Sequence, residues 1–127
     1  MKRILAHGTF DIIHYGHLNY LEKAKSYGDY LIVLVSSDEV VKKKKGKKPF
    51  FNEKNRLRMI EALKIVDEVI LRETPITNEM IKDLNIDIFV TTKEYCQELN
   101  QYCQVILVDR TKEISSTAIK NYLSTKE

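Results

Sequence analysis

Glycine and proline are scarce: four Gly and two Pro in 127 residues leave little room for flexible linkers or disordered tracts. No stretch approaches the roughly eighteen consecutive apolar residues of a membrane-spanning helix, so no membrane partner is expected. Met1 to His7 run straight into strand-like sequence without the regions of a signal peptide, and the expected compartment is the cytoplasm. Cysteine is limited to Cys96 and Cys103. Two are too few for a secreted disulfide scaffold. They also lack the His or Asp pattern of a zinc site, so reduced thiols and no dedicated metal ligands are expected. What is present, 43% hydrophobic and 31% charged residues, is the composition of one globular domain over residues 1–127. The net charge of +3 is unevenly spread, because Lys42 to Lys45, Lys47 and Lys48 flank Gly46. An anion is the natural visitor to that run. No aromatics interleave the lysines and the rest of the chain is nearly charge-balanced, so nucleic acid is not the expected partner.

Apolar residues run together rather than alternate in Leu31 to Val35 and Val105 to Val108, and more weakly in Arg3 to Ala6, Glu68 to Leu71 and Ile86 to Val90. Such runs read as strands buried on both faces. Between them lie helical patterns. One covers His17 to Tyr27, with Leu18, Leu21 and Ala24 inward and a stop at Gly28. Another is capped by Asn52 and carries Leu57, Ile60 and Leu63. A third opens at Thr77 or Asn78, with Met80, Ile81 and Leu84. A last one opens at Ser115 or Ser116, with Ile119, Tyr122 and Leu123 inward. The alternation predicts an α/β fold: a Rossmann-like, doubly wound five-stranded parallel sheet with helices on both faces. Ligands in such sheets sit beyond the carboxyl ends of the strands. The loops to inspect therefore follow Ala6, Val35, Val90 and Val108, with the lysine run as the loop after the second strand.

The first of these loops reads His7-Gly8-Thr9-Phe10-Asp11-Ile12-Ile13-His14-Tyr15-Gly16-His17. Gly8 permits a close backbone approach where the strand ends. His14 and His17, three apart at a helix start, can turn both imidazoles to one spot. The free amides and positive dipole of the helix reach the same spot. Moving a nucleotidyl group to a phosphate oxygen needs no activated protein nucleophile. It needs positioning, and stabilisation of charge spreading over the α-phosphate and the departing pyrophosphate. Imidazoles, lysines, arginines and amides supply that. After the last strand, Arg110 precedes Ser115, Ser116 and Thr117, which can cap a helix and form a second anion site together.

Gly8-Thr9-Phe10-Asp11 followed by His14-x-Gly16-His17 resembles the signature of the nucleotidyltransferase superfamily that includes the cytidylyltransferases. The similarity is greatest to the glycerol-3-phosphate cytidylyltransferase branch and runs nearly the whole length. It takes in Gly28-Asp29-Tyr30-Leu31, Val66-Asp67-Glu68-Val69, and Arg110-Thr111 with Ile114-Ser115. The resemblance implies catalysis by His14, His17, Lys44 and Arg110. It implies nucleotide binding by Gly8, Thr9, Phe10, Asp11, Gly16, Lys47, Thr111, Ile114, Ser115, Ser116 and Thr117. It assigns Arg56, Lys64 and Asp67 to the acceptor, with Arg56 gripping its phosphate in a bidentate fork. The implied reaction transfers CMP from CTP to a small phosphoalcohol, glycerol 3-phosphate first, releasing pyrophosphate. Mg²⁺ enters with the triphosphate, and a homodimer is implied, with the histidine motif near its interface. Two departures stand out. Glu113 replaces the usual glycine, and Val90-Thr91-Thr92-Lys93-Glu94-Tyr95 stands where relatives resemble Met-Gly-Asp-Asp-Trp, leaving Tyr95 as a ring in place of the tryptophan. Two alternatives follow: the same chemistry with another pair, such as ATP with a flavin or sugar phosphate or CTP with ethanolamine phosphate, or a nucleotide-binding protein without catalysis.

Overall fold

The computed structural model describes residues 1–125. Its five strands are β1 (Arg3–Gly8), β2 (Tyr30–Ser36), β3 (Glu68–Arg72), β4 (Ile88–Thr91) and β5 (Gln104–Leu107). They form one parallel sheet in the order β3-β2-β1-β4-β5. The helices are α1 (Tyr15–Lys25), α2 (Asp38–Lys45), α3 (Glu53–Glu61), α4 (Asn78–Asp83) and α5 (Ser116–Ser124), with a short 3-10 helix at Glu94–Glu98.

Successive strand residues feed opposite faces. Ile4 and Ala6 of β1 join Leu31, Val33 and Val35 of β2 under α1 and α3, which contribute Leu21, Ala24 and Ile60. Leu5, Ile32, Leu34 and Phe89 face the other way and meet Ile81 of α4 and Cys96 of the 3-10 helix. Two cores on either side of one sheet make the fold doubly wound, as the uninterrupted apolar strands require. Strand order reverses between β1 and β4, so the connections after these strands diverge and leave a crevice at their carboxyl ends.

Three local expectations are corrected. The first four lysines of the run, Lys42 to Lys45, are not in a loop but form the last turn of α2, and only Lys47 and Lys48 lie beyond it. Ser37 caps that helix by accepting from the Val40 amide, Asp38 and Glu39 occupy its first turn, and Gly46 ends it with φ 80°. Lysine has good helix propensity, and cations suit the negative end of the dipole. Gly28 does not end α1 in a left-handed turn, since the cap is Ser26 in ordinary helical geometry. A side chain at Gly28 would instead stand 2.5 Å from the Ile4 Cδ1 atom and 2.9 Å from the Lys2 carbonyl oxygen, so its role is close packing. Finally, Leu18 of α1 and Tyr122 and Leu123 of α5 are exposed rather than inward. No residue of α5 is buried, because this helix docks through its polar first turns at the cavity rim.

Candidate functional site

A cavity of about 340 Å³ opens at the carboxyl ends of the strands. Its first wall is the connection from β1 to α1. His14 is the N-cap of α1: its Nδ1 accepts from the Gly16 amide at 3.1 Å, while its own amide donates to His17 Nδ1 at 3.2 Å. The rings stack with centroids 3.8 Å apart. Because each Nδ1 accepts from a backbone amide, a neutral imidazole carries its proton on Nε2. Helix capping thus fixes the tautomer of both rings. Burial pushes His17 down to about 4, helped by His14 and Arg110 against the opposing charge of Asp11. Burial and then Arg110 lower His14 as well. Both rings are therefore neutral N–H donors near pH 7 rather than cations. Phe10, buried and held at φ 55°, backs His17 edge-on at 5.3 Å between centroids. This left-handed backbone is unusual for a bulky residue and comes two residues after the end of β1.

The opposite wall is the connection from β5 to α5. Ser115 caps α5 by accepting from the Ala118 amide at 2.9 Å. Ser116 Oγ donates to the Ile12 carbonyl and accepts from the Ile12 amide, joining the two walls. Thr111 accepts from Asn19 of α1. Arg110, Ile114 and Thr117 complete this side. Gly16 lies where the walls meet. A Cβ there would come within 2.9 Å of both the His14 ring and Ile114 Cγ2. Gly16→Ala is therefore expected to displace His14 and lower turnover by about 10²-fold while the unfolding midpoint stays close to wild type, as paired steady-state kinetics and urea unfolding would show.

Cations dominate the cavity. Lys44, Lys45, Arg72, Lys93, Arg110 and Lys120 line it, against one carboxylate, Asp11. That carboxylate is already engaged. It accepts from the Phe50 and Phe51 amides, each at 2.9 Å, and pairs with Lys120. Burial raises its pKa, but Lys120 and the two amides outweigh burial and hold it below the ordinary value. Among the described residues, no cluster of three or more His, Cys, Asp or Glu could hold a metal ion. No helix among the described residues is long and apolar enough to cross a membrane.

Two walls of amides and hydroxyls, paired neutral imidazoles and a ring of cations together suit a polyphosphate. Residues 5–122 match the family model of the cytidylyltransferase-like proteins. The chain belongs to the cytidylyltransferase-like family. It is a nucleotidyltransferase. It is 38% identical to glycerol-3-phosphate cytidylyltransferase of Bacillus subtilis over 98% of this chain and 98% of that protein. It is 42% identical to an FAD synthase of Thermococcus sibiricus over 68% of this chain and 59% of that protein. A solved structure described as the lipopolysaccharide core biosynthesis protein of Thermoplasma volcanium superposes with a TM-score of 0.77 at 30% identity, covering 88% of this chain and 99% of that one.

Of the residues singled out from sequence, this cytidylyltransferase-like cavity gathers His14, His17, Lys44, Arg110, Gly8, Thr9, Phe10, Asp11, Gly16, Thr111, Ile114, Ser115, Ser116 and Thr117. Four others stand apart. Lys47 lies beyond Gly46, exposed and outside the lining. Arg56 is 1% exposed. Its guanidinium donates to the carbonyls of Phe51, Thr9 and Ser36 and to Asp38. Four of its five N–H groups are thus spent inside the protein, leaving no fork for an acceptor phosphate. Asp67 precedes β3, at the opposite end of the sheet, where it accepts from the Leu31 amide and Lys25. Lys64 precedes the same strand and does not line the cavity. In a parallel sheet the residues directly before each strand lie at the end away from the cavity.

Sequence reasoning gave no role to His7, Arg72, Lys93 and Lys120 and named Lys45 only within the lysine run, and all five line the cavity. Arg72 and Lys93 lie at or just after strand carboxyl ends, a positional signal available in the sequence. His7 sits in the floor, its Nε2 2.8 Å from Thr91 Oγ1 and its ring edge-on to Phe89. Burial, then Arg72, Lys93 and Lys44, pushes its pKa down to about 4. With His7 and His17 both lowered from about 6.5, the unfolded chain binds more protons than the folded one between these values. Stability is then complete above about pH 6.5 and falls as the pH drops toward 4. Urea midpoints measured from pH 7.5 to 4.5 should be flat at first and then decline, and His7→Asn should make the decline shallower.

Proposed function

We propose that this nucleotidyltransferase moves CMP from CTP to glycerol 3-phosphate, giving CDP-glycerol and pyrophosphate. The observation that carries the chemistry is the pair of tautomer-locked Nε2–H imidazoles facing the hydroxyl-capped start of α5. The choice of substrates rests on 38% identity to the Bacillus subtilis enzyme over nearly the whole of both chains.

A Mg²⁺ ion entering with the triphosphate would neutralise part of its charge, and the Asp11 carboxylate is already engaged by Phe50, Phe51 and Lys120. Amides and hydroxyls at the starts of α1 and α5 orient the phosphates. An oxygen of the dianionic acceptor phosphate attacks the α-phosphorus in line, and the α–β bridging P–O bond breaks, its electrons leaving with pyrophosphate. No protein nucleophile or proton transfer is needed. His14 and His17 donate to α-phosphate oxygens as charge builds there, and Lys44 and Arg110 neutralise the incoming and departing phosphates.

The similarity to FAD synthase and the Thr92–Tyr95 segment favour a second reading, ATP with a flavin phosphate. A matrix of CTP and ATP against glycerol 3-phosphate, FMN and ethanolamine phosphate, read by pyrophosphate release, separates them. The first reading expects release only when CTP and glycerol 3-phosphate are both present. Release with ATP and FMN alone would transfer the assignment to the second.

A further inference from the structure

The nucleotide walls account for the loops after β1 and β5, and on the other side of the cavity only Lys44 has a role so far. There Arg72 ends β3, the outermost strand on that side. Its guanidinium is fixed by donating to Ser36 Oγ at the end of β2 and to the Thr74 carbonyl, both at 2.9 Å. Its Nε is buried and has no hydrogen-bond partner among the described residues. The two bonds use two of its five N–H groups, so a guanidinium held in the cavity lining keeps terminal donors for an acceptor atom of a ligand. Lys93 and Lys44 are its neighbours around His7, and no carboxylate lines this side. Tyr95 is the exposed aromatic ring of the lining, the kind of surface that could hold an ammonium group. Lys44 already stands at the hydroxyl end of that ring, its Nζ donating to the Tyr95 hydroxyl at 3.1 Å and lying 5.3 Å from the ring centre. An incoming cationic group would meet three cations and no counter-charge on this side, with a cation already bonded to the Tyr95 hydroxyl. β3 lies two strands from β1, about 10 Å at ordinary strand spacing, which is within reach of the far end of a small acceptor whose phosphate reacts beside His14.

We propose that Arg72, with Lys93 and Lys44, is the specificity determinant on the acceptor side, admitting phosphate esters of neutral or anionic alcohols and excluding phosphorylated amino alcohols. This rests on the nucleotidyl-transfer reading above and narrows its acceptor. Like-charge juxtaposition in a recognition site lowers affinity by about 10²-fold or more.

The test compares glycerol 3-phosphate, 3-phosphoglycerate and ethanolamine phosphate as acceptors for wild type, Arg72→Met and Arg72→Glu. Unfolding midpoints confirm that the variants fold. Wild type should use ethanolamine phosphate at least about 100-fold less efficiently than glycerol 3-phosphate. Arg72→Glu should raise the ratio of ethanolamine phosphate to 3-phosphoglycerate use by at least about tenfold, with Arg72→Met intermediate and the KM for nucleotide little changed. Comparable wild-type use of ethanolamine phosphate would overturn the proposal. So would an Arg72→Glu effect confined to the nucleotide KM, which would assign Arg72 to the base. Calorimetric binding of the same three esters, with a triphosphate carrying a methylene bridge between its α- and β-phosphates, reads the preference without turnover. The charge order in binding without any transfer would sink the reaction but keep the wall. Transfer without the charge order would do the reverse.

Discussion

His17→Ala is expected to lower kcat by about 10²–10³-fold, the usual effect of deleting one donor that contacts transition-state charge. His14→Ala should fall in the same range. The two rings are stacked, and each is oriented by an amide hydrogen bond at the start of α1. Losing one therefore disturbs the other, and the double variant should lose less than the product of the single effects. His14 is also a helix cap, so its removal should cost about 1 kcal/mol of stability. That is too little to unfold the domain, and it separates the catalytic loss from a folding defect. Glutamine offers an amide N–H at the reach of Nε2. His17→Gln should retain several-fold more activity than His17→Ala, whereas a charge-based role would gain nothing from it. Single-turnover rates with saturating nucleotide provide the check. An alanine variant at either position with near-wild-type turnover would remove the imidazoles from the chemistry.

The largest stability effect is expected at a residue the sequence pointed to for another reason. Arg56→Met should destabilise the fold by about 3–5 kcal/mol, the range for removing one partner of a buried ion pair. It strands Asp38 and the carbonyls of Thr9, Ser36 and Phe51. These acceptors come from the loop after β1, the end of β2, the start of α2 and the segment before α3, so Arg56 fastens the elements that frame the cavity. Arg56→Lys should restore little, because one ammonium cannot match the planar fork. Urea unfolding measures the loss. A substrate-gripping arginine would instead raise the acceptor KM with stability unchanged.

The contrast between Arg56 and Arg72 marks where legibility ended. Strands were readable because both faces are buried, and their apolar runs survive in one dimension. The His14-x-Gly16-His17 loop was readable because its chemistry is local, with cap, amide and ring all within four residues. Arg56 was noticed from its resemblance to relatives, but whether a guanidinium faces ligand or carbonyls depends on contacts as far as 47 residues away. Arg72 gave no motif at all, and only the parallel register of β3 with β2 sets it beside Ser36. The lysine run read as a loop because six like charges conceal a helix whose inward face is little more than Val41. Tyr122 and Leu123 fit a helical period but are exposed, and α5 is held at the rim by Ser116 and Lys120.

The most direct test of nucleotidyl transfer is the fate of label from CTP incubated with glycerol 3-phosphate and Mg²⁺. The account predicts that label in the α-phosphate appears in a product that also contains glycerol, and that label in the γ-phosphate appears only in pyrophosphate. Gamma label in the glycerol product, or release of γ label as inorganic phosphate without pyrophosphate, would mean that a different bond is cut and would contradict it.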